Sequence, residues 1–347
     1  MFRNLLSFLL RSRLENILAA GVSLSLLVLF LTTRLFHSFR FGMHDFIFIL
    51  LPIGILGLKA LLGLLSSSEA GTEGDTGLGR FLILFFQPFL KIFRDWFPFL
   101  LLSACYYSLF SNLILRVNPH TADAVLAKID AWILGKQAAF LMEPWIHPWL
   151  TDFLSLVYFS FVLSLPGVAL YFYLVKEEKA FRRIMMGYLT LILLGITSYL
   201  LVPAVGPGQF FADRFTRDLQ GQAISRGIGY IIQNARVSHD CFPSLHVGIP
   251  LLLSLYMRDY RRNAFIPFLV YVGLMSCATL YLRYHYFIDV LAAFIYAPAA
   301  YLLNDFLLAH WPGEQRSPVP VEPGPPETSM AAPASPVCGA TGERSEP

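Results

Sequence analysis

Residues 281–309 read YLRYHYFIDVLAAFIYAPAAYLLNDFLLA. A polar head carrying Arg283, His285 and Asp289 opens onto an apolar run over 286–309. Crossing a bilayer takes roughly 20 mostly apolar residues, so this run predicts a transmembrane helix with ionisable groups at its mouth. Charges are expensive there and point to function. The remaining chain is of the same character. Hydrophobic residues make up 56% and charged residues 14% of its 347 positions, where ordinary soluble domains carry about 25% charge. The mean hydropathy is +0.59. This balance excludes a soluble globular enzyme, a disordered chain and a nucleic-acid binder. The net charge of +3 is too small to require a polyanionic partner. An integral membrane protein remains.

Working outward, further apolar runs lie at 16–36, 46–66, 97–115, 152–175, 184–203, 244–257 and 263–282. With 286–309 they predict an all-α, polytopic membrane helix bundle of about eight spans. Arg80 to Asp95 reads as an interfacial aromatic stretch. His120 to Leu150 is too polar to span and too apolar for a free loop, which predicts amphipathic helices on the membrane or capping the bundle. Three regions follow: 1–95 with N-terminal spans and the interfacial helix, 96–310 as the core, and 311–347 as a tail. The tail is Pro-rich, has few large apolar residues and reads as disordered.

The segments KEEKAFRR (176–183) and RDYRR (258–262) carry the sharpest positive bias, which places them and both termini in the cytoplasm. No cleavable leader is read at the N-terminus. Cys105, Cys241, Cys277 and Cys338 form neither a disulfide framework nor a metal spacing, and no cofactor or metal is expected. Cys241 is not expected to be a nucleophile.

A second polar constellation lies at Phe242-Pro243-Ser244-Leu245-His246, where another apolar helix begins. His246 opens the sixth span and His285 the eighth. The chain crosses twice between them, so both histidines reach one side, extracytoplasmic by the loop charges. His285 and Asp289 are four apart and share a helix face. The carboxylate can hold one imidazole nitrogen and leave the other free to attack. Ser244 at a helix start supplies a hydroxyl beside free backbone N–H groups, an anion site. The Arg283 fork suits a phosphate oxygen, and His246 can protonate a leaving oxygen. Together these are the parts for phosphoryl transfer through a phosphohistidine.

Pro-Ser-Leu-His followed by Arg-x-His-x-x-x-Asp resembles the type-2 phosphatidic acid phosphatase superfamily. The wording Phe242-Pro243-Ser244-Leu245-His246 and Tyr281-Leu282-Arg283-Tyr284-His285-Tyr286-Phe287-Ile288-Asp289 looks most like its inositol phosphorylceramide synthase branch. The resemblance covers about residues 120–305, including Pro203-Ala-Val-Gly-Pro207. It implies a six-helix core, metal independence, His246 as leaving-group acid, His285 as nucleophile and Asp289 as its orienting carboxylate. Pro243 and Leu245 come with the motif as substrate-binding positions, beside Ser244 and Arg283. The phosphatase motif Lys-x6-Arg-Pro is absent, Leu245 stands where glycine is common, and Ala278 and Thr279 replace a Ser-Arg pair. These departures favour the synthase-like branch. Basic groups for the phosphate are then sought in Arg214, Arg217, Arg226 and Arg236.

The expected partners are a membrane lipid phosphate and an alcohol head-group acceptor, with no nucleic acid, in a bacterial inner membrane. The oligomeric state is open. Competing readings are a simple extracytoplasmic lipid phosphatase, for example on a polyprenyl diphosphate, a transporter, and a structural membrane protein acting through its tail. His37, His44, His120, His147 and His310 read as interfacial. His239 lies in the loop before the second constellation, and Asp130 reads as a helix-face or capping residue.

Overall fold

The computed structural model describes residues 111–219, 221–235 and 237–311, with Leu14, Ile17, Gly21, Leu24, Lys91, Asp95 and Trp96 besides. The first predicted span apart from Ile17, Gly21 and Leu24, the whole of the second, most of the third, the interfacial stretch up to Asp95 apart from Lys91 and Asp95 themselves, and the tail beyond Trp311 lie outside the described residues. Within these the chain is helical, with no strands and one isolated bridge between Ala204 and Asp240.

The helices are α1 (Ser111–Val117), α2 (Asp123–Leu134), α3 (Ala138–Met142), α4 (Pro148–Leu174), α5 (Glu178–Leu201), α6 (Pro207–Phe210), α7 (Ala223–Ala235), α8 (Leu245–Tyr260), α9 (Arg262–Tyr281) and α10 (Phe287–His310). Helices α4, α5, α9 and α10 are long and apolar enough to cross a membrane, in keeping with an integral membrane protein. They coincide with four of the expected spans. The expected span at 244–257 is α8, whose 16 residues cover roughly 24 Å at 1.5 Å per residue. Five of the expected eight spans are thus long helices among the described residues, and the other three fall wholly or mostly outside them.

Helices α5 and α8 form the interior of the bundle. Helix α8 packs against α4, α5, α9 and α10, and its side chains from Val247 to Leu253 are all buried. Close approach is made possible by two glycines on α5. A Cβ on Gly187 would lie 1.9 Å from the Tyr256 hydroxyl, and one on Gly195 2.8 Å from Leu245. The outer faces of α4, α9 and α10 carry exposed Leu156, Leu163, Val270, Ile295 and Phe306. Such a surface suits lipid, since a water-facing helix is polar on its outer side.

The segment expected to cap the bundle does so with α2, α3 and a 3₁₀ turn at Glu143–Trp145. Trp132, Trp145 and Trp149 are exposed around that end, the pattern of an interfacial aromatic belt. The loop between α5 and α8 holds the short α6 and the longer α7. Asp152, in the second turn of α4, accepts the backbone N–H groups of Gln222 and Ser225 at the start of α7.

Candidate active site

The site lies where α8 and α10 begin. Pro243 cannot continue a ladder of N–H donors, and α8 starts directly after Ser244, its N-cap. The Ser244 backbone N–H donates to the Asp289 carbonyl at 3.1 Å, which stitches the two helix starts together. The Pro243 carbonyl accepts the Tyr199 hydroxyl at 3.1 Å. Leu245 turns inward onto Gly195. The Ser244 hydroxyl is fully buried and has no hydrogen-bond partner among the described residues.

At the start of α10, Tyr286 is the N-cap and Asp289 reaches back to its backbone N–H at 2.7 Å. This capping geometry fixes the carboxylate beside His285. The His285 Nδ1 lies 2.9 Å from the Cys241 carbonyl and 3.4 Å from Asp289 Oδ2. Its other nitrogen, Nε2, faces His246 Nδ1 at 3.2 Å. The His246 Nε2 in turn meets the Tyr158 hydroxyl at 2.8 Å, and the two rings stack with centroids 4.6 Å apart. The Phe161 ring also packs against His246, with centroids 4.5 Å apart. A continuous line therefore runs Asp289, His285, His246, Tyr158. His285 is 3% exposed and Asp289 fully buried, so these contacts operate with little competition from water.

Two carboxylates from α2 hold the frame. Asp123 accepts the N–H groups of Val205 and Gly206 and the Tyr286 hydroxyl at 2.9 Å. The Pro203–Pro207 segment is thereby tied to the start of α10. Gly206 has φ +87°, and a Cβ there would come 2.5 Å from the Tyr284 carbonyl; only glycine fits both demands. Asp130, fully buried, accepts the Phe287 and Ile288 N–H groups at 2.7 and 2.9 Å. Burial pushes its carboxyl up, and those two N–H groups oppose the rise. Burial and the neighbouring Asp123 likewise raise the Tyr286 phenol.

Arg283 occupies a different position from the one its spacing suggested. Its backbone has φ +64°. Its guanidinium lies over the Phe215 ring at 3.7 Å, donates to the Arg217 carbonyl at 2.5 Å and sits 3.7 Å from Glu143. Burial lowers its pKa, against the Glu143 charge. Glu143 also accepts the Thr216 and Arg217 N–H groups at 2.6 and 2.9 Å. Burial raises that carboxyl, but these donors and Arg283 prevail and hold it below the usual range.

Of the loop arginines, Arg214 and Arg217 are exposed, Arg226 turns back to the Gln222 carbonyl, and Arg236 lies outside the described residues. His239 pairs with Ser238 at 2.6 Å. Tyr158 and Asp123 are the site neighbours that sequence reasoning missed. Each lies in a helix with no motif, and only the fold carries it to the histidines. Cys241 was set aside on sequence, yet its sulfur lies 2.9 Å from Asp289 Oδ2. Cys241, His285 and Asp289 offer three donor atoms within 4.8 Å of one another, a sulfur, nitrogen and oxygen set of the kind transition metals accept.

The site is thus two imidazoles facing each other at the mouth of a bundle of apolar, membrane-length helices. The model of the PAP2 superfamily matches residues 124–303, more than half of the chain, and the chain belongs to that superfamily. Its members are generally phosphatases or phosphotransferases. No curated protein and no solved structure matches the chain.

Proposed function

We propose that this protein is a membrane lipid phosphotransferase of the inositol phosphorylceramide synthase type, working through a phosphohistidine. The contact that carries the reading is His285 Nε2 to His246 Nδ1, 3.2 Å. A lipid phosphate enters between the two rings and replaces that contact. His285 Nε2 attacks phosphorus; the N–P bond forms and the bond to the leaving oxygen breaks. His246, protonated at the start, gives that oxygen its proton. The positive charge that develops on the His285 ring is held by Asp289 and by the Cys241 carbonyl. In the second half, an acceptor hydroxyl loses its proton to His246 and attacks phosphorus, and the N–P bond breaks.

The buried Ser244 hydroxyl at the start of α8 offers a donor to the phosphoryl oxygens. Pro243 and Leu245 shape that start. Arg283 joins them on release from Glu143. The loop charges support an extracytoplasmic mouth, and the absence of the phosphatase form of the first motif supports the synthase branch. The test is purified protein assayed against a panel of lipid phosphates, with and without inositol-like alcohol acceptors, followed by lipid mass spectrometry. A new phosphodiester lipid is expected. Release of free phosphate alone would assign a simple lipid phosphatase instead. His285→Ala is expected to abolish turnover, and undiminished activity would overturn the assignment.

A further inference from the structure

The nucleophile reading leaves one buried group unexplained. Cys241 is 4% exposed, four residues before the start of α8, which carries His246. It packs among Leu126, Ala204, Phe211 and Tyr286, so its rotamer is fixed by neighbours from α2, the Pro203–Pro207 segment and the start of α10. The thiol donates to Asp289 Oδ2 at 2.9 Å, a shorter contact than the 3.3 Å to the Tyr284 carbonyl. The same residue's carbonyl oxygen is the nearest acceptor to His285 Nδ1, 2.9 Å against 3.4 Å for Asp289. One residue therefore touches both members of the His285–Asp289 pair, by different atoms.

We propose that Cys241 is a positioning residue of the histidine pair. Its carbonyl takes the Nδ1–H of His285 and so fixes the tautomer that leaves the Nε2 lone pair facing His246. Its thiol holds Asp289 Oδ2 in place, sharing that oxygen with the Tyr286 N–H. The arrangement needs the sulfur protonated. Burial, followed by the nearby Asp289 charge, pushes the thiol well above its ordinary range, which keeps it a donor. Gly206 belongs to the same device, because a Cβ there would crowd Cys241 Sγ at 3.3 Å.

This inference rests on His285 being the nucleophile. The test compares Cys241→Ala and Cys241→Ser with the wild type in detergent, using the lipid phosphate that the panel assay identifies. Both variants keep the carbonyl; only serine keeps a donor. Alanine is expected to lower kcat roughly tenfold, the scale of a lost hydrogen bond to a charged group, with KM within about twofold. Serine is expected to recover most of that kcat. An alanine variant with wild-type kcat, or a serine variant as poor as alanine, overturns the proposal.

A second readout needs no turnover. The S–H stretch in the infrared spectrum, assigned to Cys241 by its loss in Cys241→Ser, is expected to shift in Asp289→Asn. A band that does not move overturns the thiol–carboxylate contact, even where Cys241→Ala does not fold. The two failures separate cleanly. Turnover that survives His285→Ala sinks the nucleophile reading itself. Turnover lost in His285→Ala but kept in Cys241→Ala sinks the inference alone.

Discussion

Tyr158 and His246 share a 2.8 Å hydrogen bond and a stacked ring contact, and the two can be separated by one atom. Tyr158→Phe keeps the ring and removes the hydroxyl. If His246 is the leaving-group acid, its Nε2 then loses the partner that steadies the charged form. A net hydrogen bond is worth about 1 kcal/mol, roughly a fivefold effect on rate. The expected outcome is a kcat reduced by that factor with KM little changed, measured on the lipid phosphate identified by the panel. An unchanged kcat would remove Tyr158 from the site. At this scale the sequence was informative for residues whose order and spacing repeat a motif. His246, His285 and Asp289 were legible because polar groups stand out at the ends of apolar runs. Tyr158 was not, because a tyrosine inside a Phe- and Tyr-rich span looks like its neighbours. Arg283 was legible as a residue but not as a contact. Its guanidinium goes to Phe215 and Glu143, partners supplied by loops whose path no periodicity dictates.

At the scale of elements, the site depends on how the first turn of α10 is held. Its leading N–H groups have no partner inside the helix. Asp130 of α2 satisfies two of them, at Phe287 and Ile288, and Asp289 satisfies the Tyr286 N–H. The capping role expected for Asp130 is thus fulfilled, though on another helix rather than its own. That distinction was invisible in sequence, since Asp130 and Phe287 are 157 positions apart. Asp130→Ala is expected to lower stability by about 1–2 kcal/mol, the range of a lost N-cap with buried donors left open. It should also lower kcat, because the turn that carries Asp289 loses its outer anchor. Thermal denaturation in detergent checks the first effect; an unshifted transition would show that α10 is held by packing alone. The five long helices themselves were readable to within about six residues at their ends, because a membrane span is set by length and hydrophobicity. The capping helices α2 and α3 were readable only as a region, since their amphipathic pattern is short.

Among the described residues, two clusters of ionisable side chains lie at opposite ends of an apolar bundle. Helices α4, α8 and α10 run from the histidine end to the other, and α5 and α9 return. At the far end Arg183 of α5 donates to Asp305 at 2.7 and 2.6 Å and to Asp259 at 2.7 Å. Tyr301 and Asn304 of α10 join it. Arg183 reads in sequence as one more cytoplasmic positive charge; in the fold its guanidinium links α5, α8 and α10. The Asp259 end of α8 lies 13 residues beyond His246, hence roughly 20 Å along the axis. The buried residues of α8 from Val247 to Leu253 lie between the two clusters. Arg183→Ala leaves Asp305 without this counter-charge and Asp259 with the longer 3.5 Å ion pair to Arg258. The loss is expected to be about 2 kcal/mol, less than the roughly 3–5 of a fully buried pair, because the Asp305 side chain is 37% exposed. KM should stay at the wild-type value, since nothing that touches the substrate has moved. Denaturation in detergent read beside KM tests both halves: an unchanged melting transition would show that the far end is held by hydrophobic packing, and a raised KM would show that strain at one end reaches the histidines at the other.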